Sequence, residues 1–175
     1  MKTIRLYSII LIATALFAVT AGAQTRRARR PAPKPRPTPS TFAANLETSQ
    51  AKLKVSNQVA NVTRFTDKLG PIAASIEGID ADARNRRGSR TIIDQNNANK
   101  EKVKQAIKNL RAGLVSLETD FRTKPNLRKY LPKLEGITML SAESEDLANA
   151  GKFTDSRRPL LTVLQKLADT LAVMP

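Results

Sequence analysis

Apolar residues recur through the second half of the chain in alternating steps of four and three. Val103, Ile107, Leu110, Leu114, Leu117 and Phe121 keep this spacing without a break, which lines them along one side of a helix in the manner of a coiled-coil seam. Leu160, Leu164, Leu167, Leu171 and Met174 repeat it near the end of the sequence. Carried backward from Val103, the first register meets Lys100 and Asn96 before it reaches Ile93. The start of that helix therefore either frays or meets something polar, and a polar end to a bundle core is the commoner arrangement.

Upstream, Thr41 is placed to cap a helix carrying Phe42, Leu46, Leu53, Val59, Val62, Phe65 and Leu69 on its inward side, with Gly70-Pro71 as its stop. A shorter piece begins at Pro71 and shows Ile72, Ile76, Ile79 and Ala83, either as a separate helix or as a bent extension of the first. It fades into Arg84-Asn85-Arg86-Arg87-Gly88-Ser89-Arg90, a basic loop. Between the two seams, Leu127, Tyr130, Leu131, Leu134, Ile137, Leu140 and Leu147 form a helical stripe interrupted by Pro132 and weakened by Gly136, with a break or kink predicted near Pro132. Ala150-Gly151 supplies a stop, and Thr154 or Asp155 the next cap. Nothing reads as a strand. The pattern predicts an all-α fold, an up-and-down bundle of about four long helices plus a short one. It spans residues 41–175, a length suited to one domain that buries roughly two-thirds of its unfolded surface.

The first 40 residues follow a different logic. Lys2 and Arg5 precede an apolar run from Ile9 to Val19, and Ala21-Gly22-Ala23 follows it. A basic start, an apolar run and small residues in that order make a secretory signal cleaved after Ala23. The stretch from Ile4 to Ala23 is also long enough to cross a bilayer, but Tyr7, Ser8, Thr14 and Thr20 interrupt it. Residues 1–23 thus read as a signal peptide and the product as periplasmic or extracellular, or as membrane-tethered where the signal is retained.

Residues 24–40 read as a basic, disordered linker. From Pro31 to Pro39 every second residue is proline, which fixes φ at alternate positions and favours extended polyproline II, about 30 Å of semi-rigid spacer. This tract resembles the alternating X-Pro spacers of periplasm-spanning proteins of the TonB type. The resemblance covers the spacer alone and implies a reach away from a membrane if the signal stays attached. The formal charge of the chain is +15, and it is unevenly spread. Every Asp and Glu lies from Glu47 onward, whereas Arg26, Arg27, Arg29, Arg30, Lys34 and Arg36 sit in the linker with no acidic neighbour. These six are the candidate anion-contacting residues, and outside the cytoplasm they meet anionic envelope polymers or a membrane surface. The plainer role of such charge is solubility.

Composition narrows the chemistry. The sequence has no Cys and no His, which removes disulfides, thiol nucleophiles, and the commonest metal ligand, general base and haem ligand. No cofactor or metal is expected. Ser49-Gln50-Ala51-Lys52 matches the S-x-x-K of acyl-enzymes, but the companion motifs are missing and no strand exists to support such a site. Glu143, Glu145 and Asp146 are the densest acidic group; they lack the alternating ligand loop with glycine of a calcium site and read as a solvated helix face. Asn61-Val62-Thr63 is a glycosylation sequon inside the first helix. Arg84, Arg86, Arg87, Arg90, Lys100, Lys102, Lys104 and Lys108 are able to track phosphates, but no motif for sequence-specific nucleic acid is present. The expected function is that of an exported, non-enzymatic helical binding or scaffolding protein. The alternatives are a carboxylate- or Ser/Lys-dependent hydrolase or transferase, and a helical subunit of an envelope complex with a protein partner.

Overall fold

The computed structural model describes residues 39–85 and 87–175. Residues 1–38, which include the expected signal peptide and Arg26, Arg27, Arg29, Arg30, Lys34 and Arg36, lie outside the described residues, as does Arg86. The described elements are all helical: α1 (Pro39–Arg84), α2 (Arg90–Thr123), a 3-10 turn (Arg128–Tyr130) running into the single-turn α3 (Leu131–Leu134), α4 (Ile137–Asn149) and α5 (Phe153–Val173). The long helices run alternately up and down: Lys54 of α1 meets Asp120 of α2 while Ile76 meets Asn96, and Arg111 of α2 meets Glu145 of α4 while Glu118 meets Thr138. α1 packs on α5 and α2, α2 on α4, and α4 on α5, which closes the ring of a four-helix bundle. Among the described residues, no helix is long and apolar enough to cross a membrane.

The α2 seam is buried as its spacing predicts, with Val103, Ile107, Leu114, Leu117 and Phe121 in the core and Leu110 packed against it. Ser89 caps this helix, its side chain accepting the Ile92 N–H at 3.4 Å. Phe121 meets Tyr130 edge to face, with ring centroids 6.5 Å apart. At the other end of α2 the core turns polar instead of fraying. Buried Asn96 donates to the Ile76 carbonyl at 3.1 Å and to Asp80 Oδ1 at 2.9 Å, and Lys100 pairs with the same carboxylate oxygen at 2.6 Å.

Several local expectations are corrected. Gly70-Pro71 does not end the first helix, and α1 starts at Pro39, not at a Thr41 cap. Proline inside a helix withholds a donor and typically costs about 3 kcal/mol. Here the apolar line Leu69, Ala73 and Ile76 runs buried straight across the proline. In addition, Arg157 of α5 gives its Nε–H to the Thr66 carbonyl at 3.0 Å, which ties the turn before the proline to the neighbouring helix. Pro132 likewise sits in the first turn of α3, where its missing N–H is harmless. The break falls four residues later at Gly136, whose φ of +92° only glycine adopts without strain. Gly151, with φ +77°, ends α4 as expected, and the Lys152 N–H returns to the Leu147 carbonyl at 2.9 Å.

Neither Thr154 nor Asp155 caps α5, which begins at Phe153. The carboxylate of Glu77 on α1 does so from outside, accepting the Thr154 N–H at 2.9 Å and its hydroxyl at 2.7 Å. Glu118 on α2 serves α4 in the same way, accepting from Gly136 N–H at 3.3 Å and Thr138 N–H at 2.9 Å. A side-chain carboxylate at a helix N-terminus satisfies orphan donors and complements the helix dipole. Each long helix thereby also fixes the start of a shorter one.

Candidate docking surface on the first helix

The residues expected inward on α1 fall on two opposite faces. At 3.6 residues per turn, Phe42, Leu46, Ser49, Leu53, Ser56 and Ala60 lie within about 40° of one line along the helix. Ala51, Val55, Val62, Leu69, Ala73 and Ile76 lie roughly half a turn away, and these are the buried ones. The expectation that Phe42, Leu46 and Leu53 face the core is therefore wrong. They are 67%, 50% and 65% exposed, respectively. Val59 and Phe65 lie at the margin of the core and pack against it. Ile72, expected inward in the second piece, is exposed as well.

Three charged residues occur between Thr41 and Thr63, namely Glu47, Lys52 and Lys54, and all are bound to the body of the protein. Glu47 accepts from Asn126 Nδ2 at 2.7 Å. Lys52 Nζ donates to the carbonyls of Met174 at 3.2 Å and Pro175 at 2.8 Å. Lys54 pairs with Asp120 at 2.6 Å, and Lys54, with Lys124 behind it, holds the Asp120 carboxyl below its usual range. The outward stripe is thus bordered by Ala43, Asn45, Gln50 and Asn57 and not by free charge. Scattered exposed leucines need no explanation, but a line of large apolar residues with charge drawn away from it has the composition of an interface core. Beside the line, Ser49, Lys52, Leu53 and Ser56, with Leu171 of α5, bound an open recess of about 440 Å³.

The other candidate residues are not gathered into a catalytic arrangement. Ser49 and Lys52 share the rim of that recess, but the Lys52 ammonium is directed at two main-chain carbonyls. Glu145 pairs with Arg111 of α2 at 2.8 Å, while Glu143 and Asp146 are exposed. Among the described residues, no three acidic side chains are grouped to hold a metal ion. Of the basic series, Lys100 and Lys104 are paired with Asp80 and Glu101, and Arg84, Arg87, Arg90, Lys102 and Lys108 are exposed. A second open cleft at the polar end of the bundle is lined by Glu77, Asp80, Arg84, Lys152 and Asp155; Glu77 and Asp80 are already engaged by Thr154, Asn96 and Lys100. Asn61 of the sequon is exposed on α1.

The stripe was readable in principle. Two apolar lines half a turn apart on one long helix are visible in the spacing, but a search for a single inward face merges them. No protein-family model, curated protein or solved structure matches the chain.

Proposed function

We propose that this chain is an exported, non-enzymatic helical binding and scaffolding protein that docks its partner along the outward face of α1. The observation that carries this reading is the exposed line of Phe42, Leu46 and Leu53, which the bundle does not use for its own core. Burying three such side chains against a partner is worth about 1.5–3 kcal/mol each before the entropic losses of association. The apolar run Ile9–Val19 and the small residues at Ala21 and Ala23 support export. The six linker cations support a nonspecific tether to anionic envelope polymers or membrane surface.

Photo-crosslinking in the producing cells tests the docking face. A photoreactive phenylalanine analogue is placed at position 42, 46 or 53, with position 139 as the control. Met139 is a 71% exposed apolar residue on α4, so exposure alone predicts the same adducts from it. Discrete adducts from the three α1 positions and none from position 139 are expected. Equal labelling from all four, or none from any, would refute the reading.

A further inference from the structure

We infer that the occupant of the α1 stripe is the same stripe of a second copy, paired antiparallel about a two-fold axis beside Ser49; this rests on the docking reading above. The argument begins with the order of large and small residues. A two-fold axis near Ser49 sets Phe42 against Ser56, Leu46 against Leu53, and Ser49 against its own counterpart. Large side chains then meet small ones at the ends, two leucine pairs fill the flanks, and the crossing point is small on both sides. That self-complementarity is what an isologous interface demands of one surface.

The recess supplies the matching hole. Ser49, Lys52, Leu53 and Ser56, which bound it, stand at i, i+3, i+4 and i+7, the four positions that form a hole for a knob from a facing helix. In the antiparallel register the knob opposite this hole is Leu46 of the second copy. The borders agree with the pairing. On one side Gln50 meets its own counterpart and Ala43 meets Asn57, and on the other Asn45 faces Lys52, so no like charges meet across the seam. A membrane-surface helix normally carries Lys and Arg along the border of its apolar face; here Lys52 and Lys54 are held by the protein itself.

The paired stretch from Phe42 to Ser56 is about 21 Å long at 1.5 Å per residue. That is less than the roughly 800 Å² per partner of tight complexes requires, so a dissociation constant in the micromolar range is expected.

The test is sedimentation equilibrium of the exported product from about 1 to 300 µM, with wild type beside Leu53→Lys and Leu46→Lys. A reversible dimer is expected, with its dissociation constant raised more than about tenfold by either variant while the thermal melt at low concentration is retained. Because the chain has no Cys, single-cysteine variants report the register. Ser49→Cys is expected to cross-link to itself, and Phe42→Cys to Ser56→Cys only when the two are mixed. A dimer unaffected by both lysine variants, or self-linking of Phe42→Cys, overturns the proposed pairing. A monomer at every concentration overturns the second copy as occupant. Adducts from positions 42, 46 and 53 to another protein then leave the docking reading standing, and their absence removes both. Binding of that monomer to phosphatidylglycerol vesicles, abolished by Leu53→Lys, would assign the stripe to a lipid surface instead.

Discussion

Glu118 offers the sharpest test of how the helices hold one another. It is buried on α2, and its two oxygens take the N–H groups of Gly136 and Thr138 at the start of α4, with Arg122 Nη2 3.0 Å from the first. Gly136 has no side chain with which to cap that turn, so Glu118→Ala leaves two half-buried donors and a helix dipole without an acceptor. Hydrogen bonds to a charged group contribute about 1.5–3 kcal/mol each, and a loss of about 3–5 kcal/mol is expected. Glu118→Gln keeps one acceptor oxygen and is expected to lose about 1–3 kcal/mol. Burial by itself pushes this carboxyl up, but the bonds from Thr138, Gly136 and Arg122 outweigh it and hold the group below its ordinary value of 4.5. A carboxylate with a depressed value in the folded state binds its proton more readily when unfolded. The contribution of its charge is therefore complete above the ordinary glutamate range and is lost as pH falls through the folded value. Urea unfolding followed by circular dichroism, run from pH 7 downward, is expected to show the gap between wild type and Glu118→Gln narrowing below about pH 4.5. Glu135→Gln is the control, since Glu135 is exposed and 3.9 Å from Arg122, and a change within about 0.5 kcal/mol is expected. A loss under about 1 kcal/mol for Glu118→Ala, or a gap for Glu118→Gln that ignores pH, would refute the capping argument.

Further predictions address the core and the arm. Leu114→Ala, at the fully buried centre of the α2 seam, is expected to cost about 2–5 kcal/mol in the same urea assay, and a value near zero would show the seam to be misread. Deleting residues 24–40 is expected to leave the melting temperature nearly unchanged while abolishing salt-sensitive retention on a polyanion resin; equal retention of both forms at every salt concentration would move that role to the bundle surface. Intact-mass analysis of the exported product is expected to place its first residue at Gln24, and a chain retaining Met1 in the membrane fraction would contradict cleavage.

Much of the bundle was legible in local spacing, because a helix buried along one side repeats its apolar residues with one period. The α2 seam, the polar end at Asn96 and Lys100, the basic connection after Arg84 and the Gly151 stop are of this kind. What spacing concealed lies between helices. α4 buries Ser141, Ser144 and Ala148 beside Ile137, while Leu140 and Leu147, expected to lead its stripe, are only partly covered. Ser144 donates to the Ser156 carbonyl of α5 at 2.8 Å, a short approach that small residues permit and that a hydrophobic pattern cannot register. The caps on α4 and α5 come from Glu118 and Glu77, far away in sequence, so no N-cap signature precedes either helix. Pro71 reads as a stop locally and is carried through by contacts made along α1. The outward stripe was hidden for a related reason: Phe42, Leu46 and Leu53 are as apolar as core residues, and only the packed bundle distinguishes the face it uses from the face it leaves open.

The claim that α1 turns one apolar face to the core and leaves the other open is tested most directly by comparing Leu53→Ala with Leu69→Ala. Urea unfolding of each, at a protein concentration low enough to keep the chain monomeric, isolates folding from association. Leu69 is 1% exposed and Leu53 65%, so Leu69→Ala is expected to lose about 2–5 kcal/mol and Leu53→Ala less than about 0.5 kcal/mol. Equal losses at the two positions would put Leu53 in the core and contradict the claim.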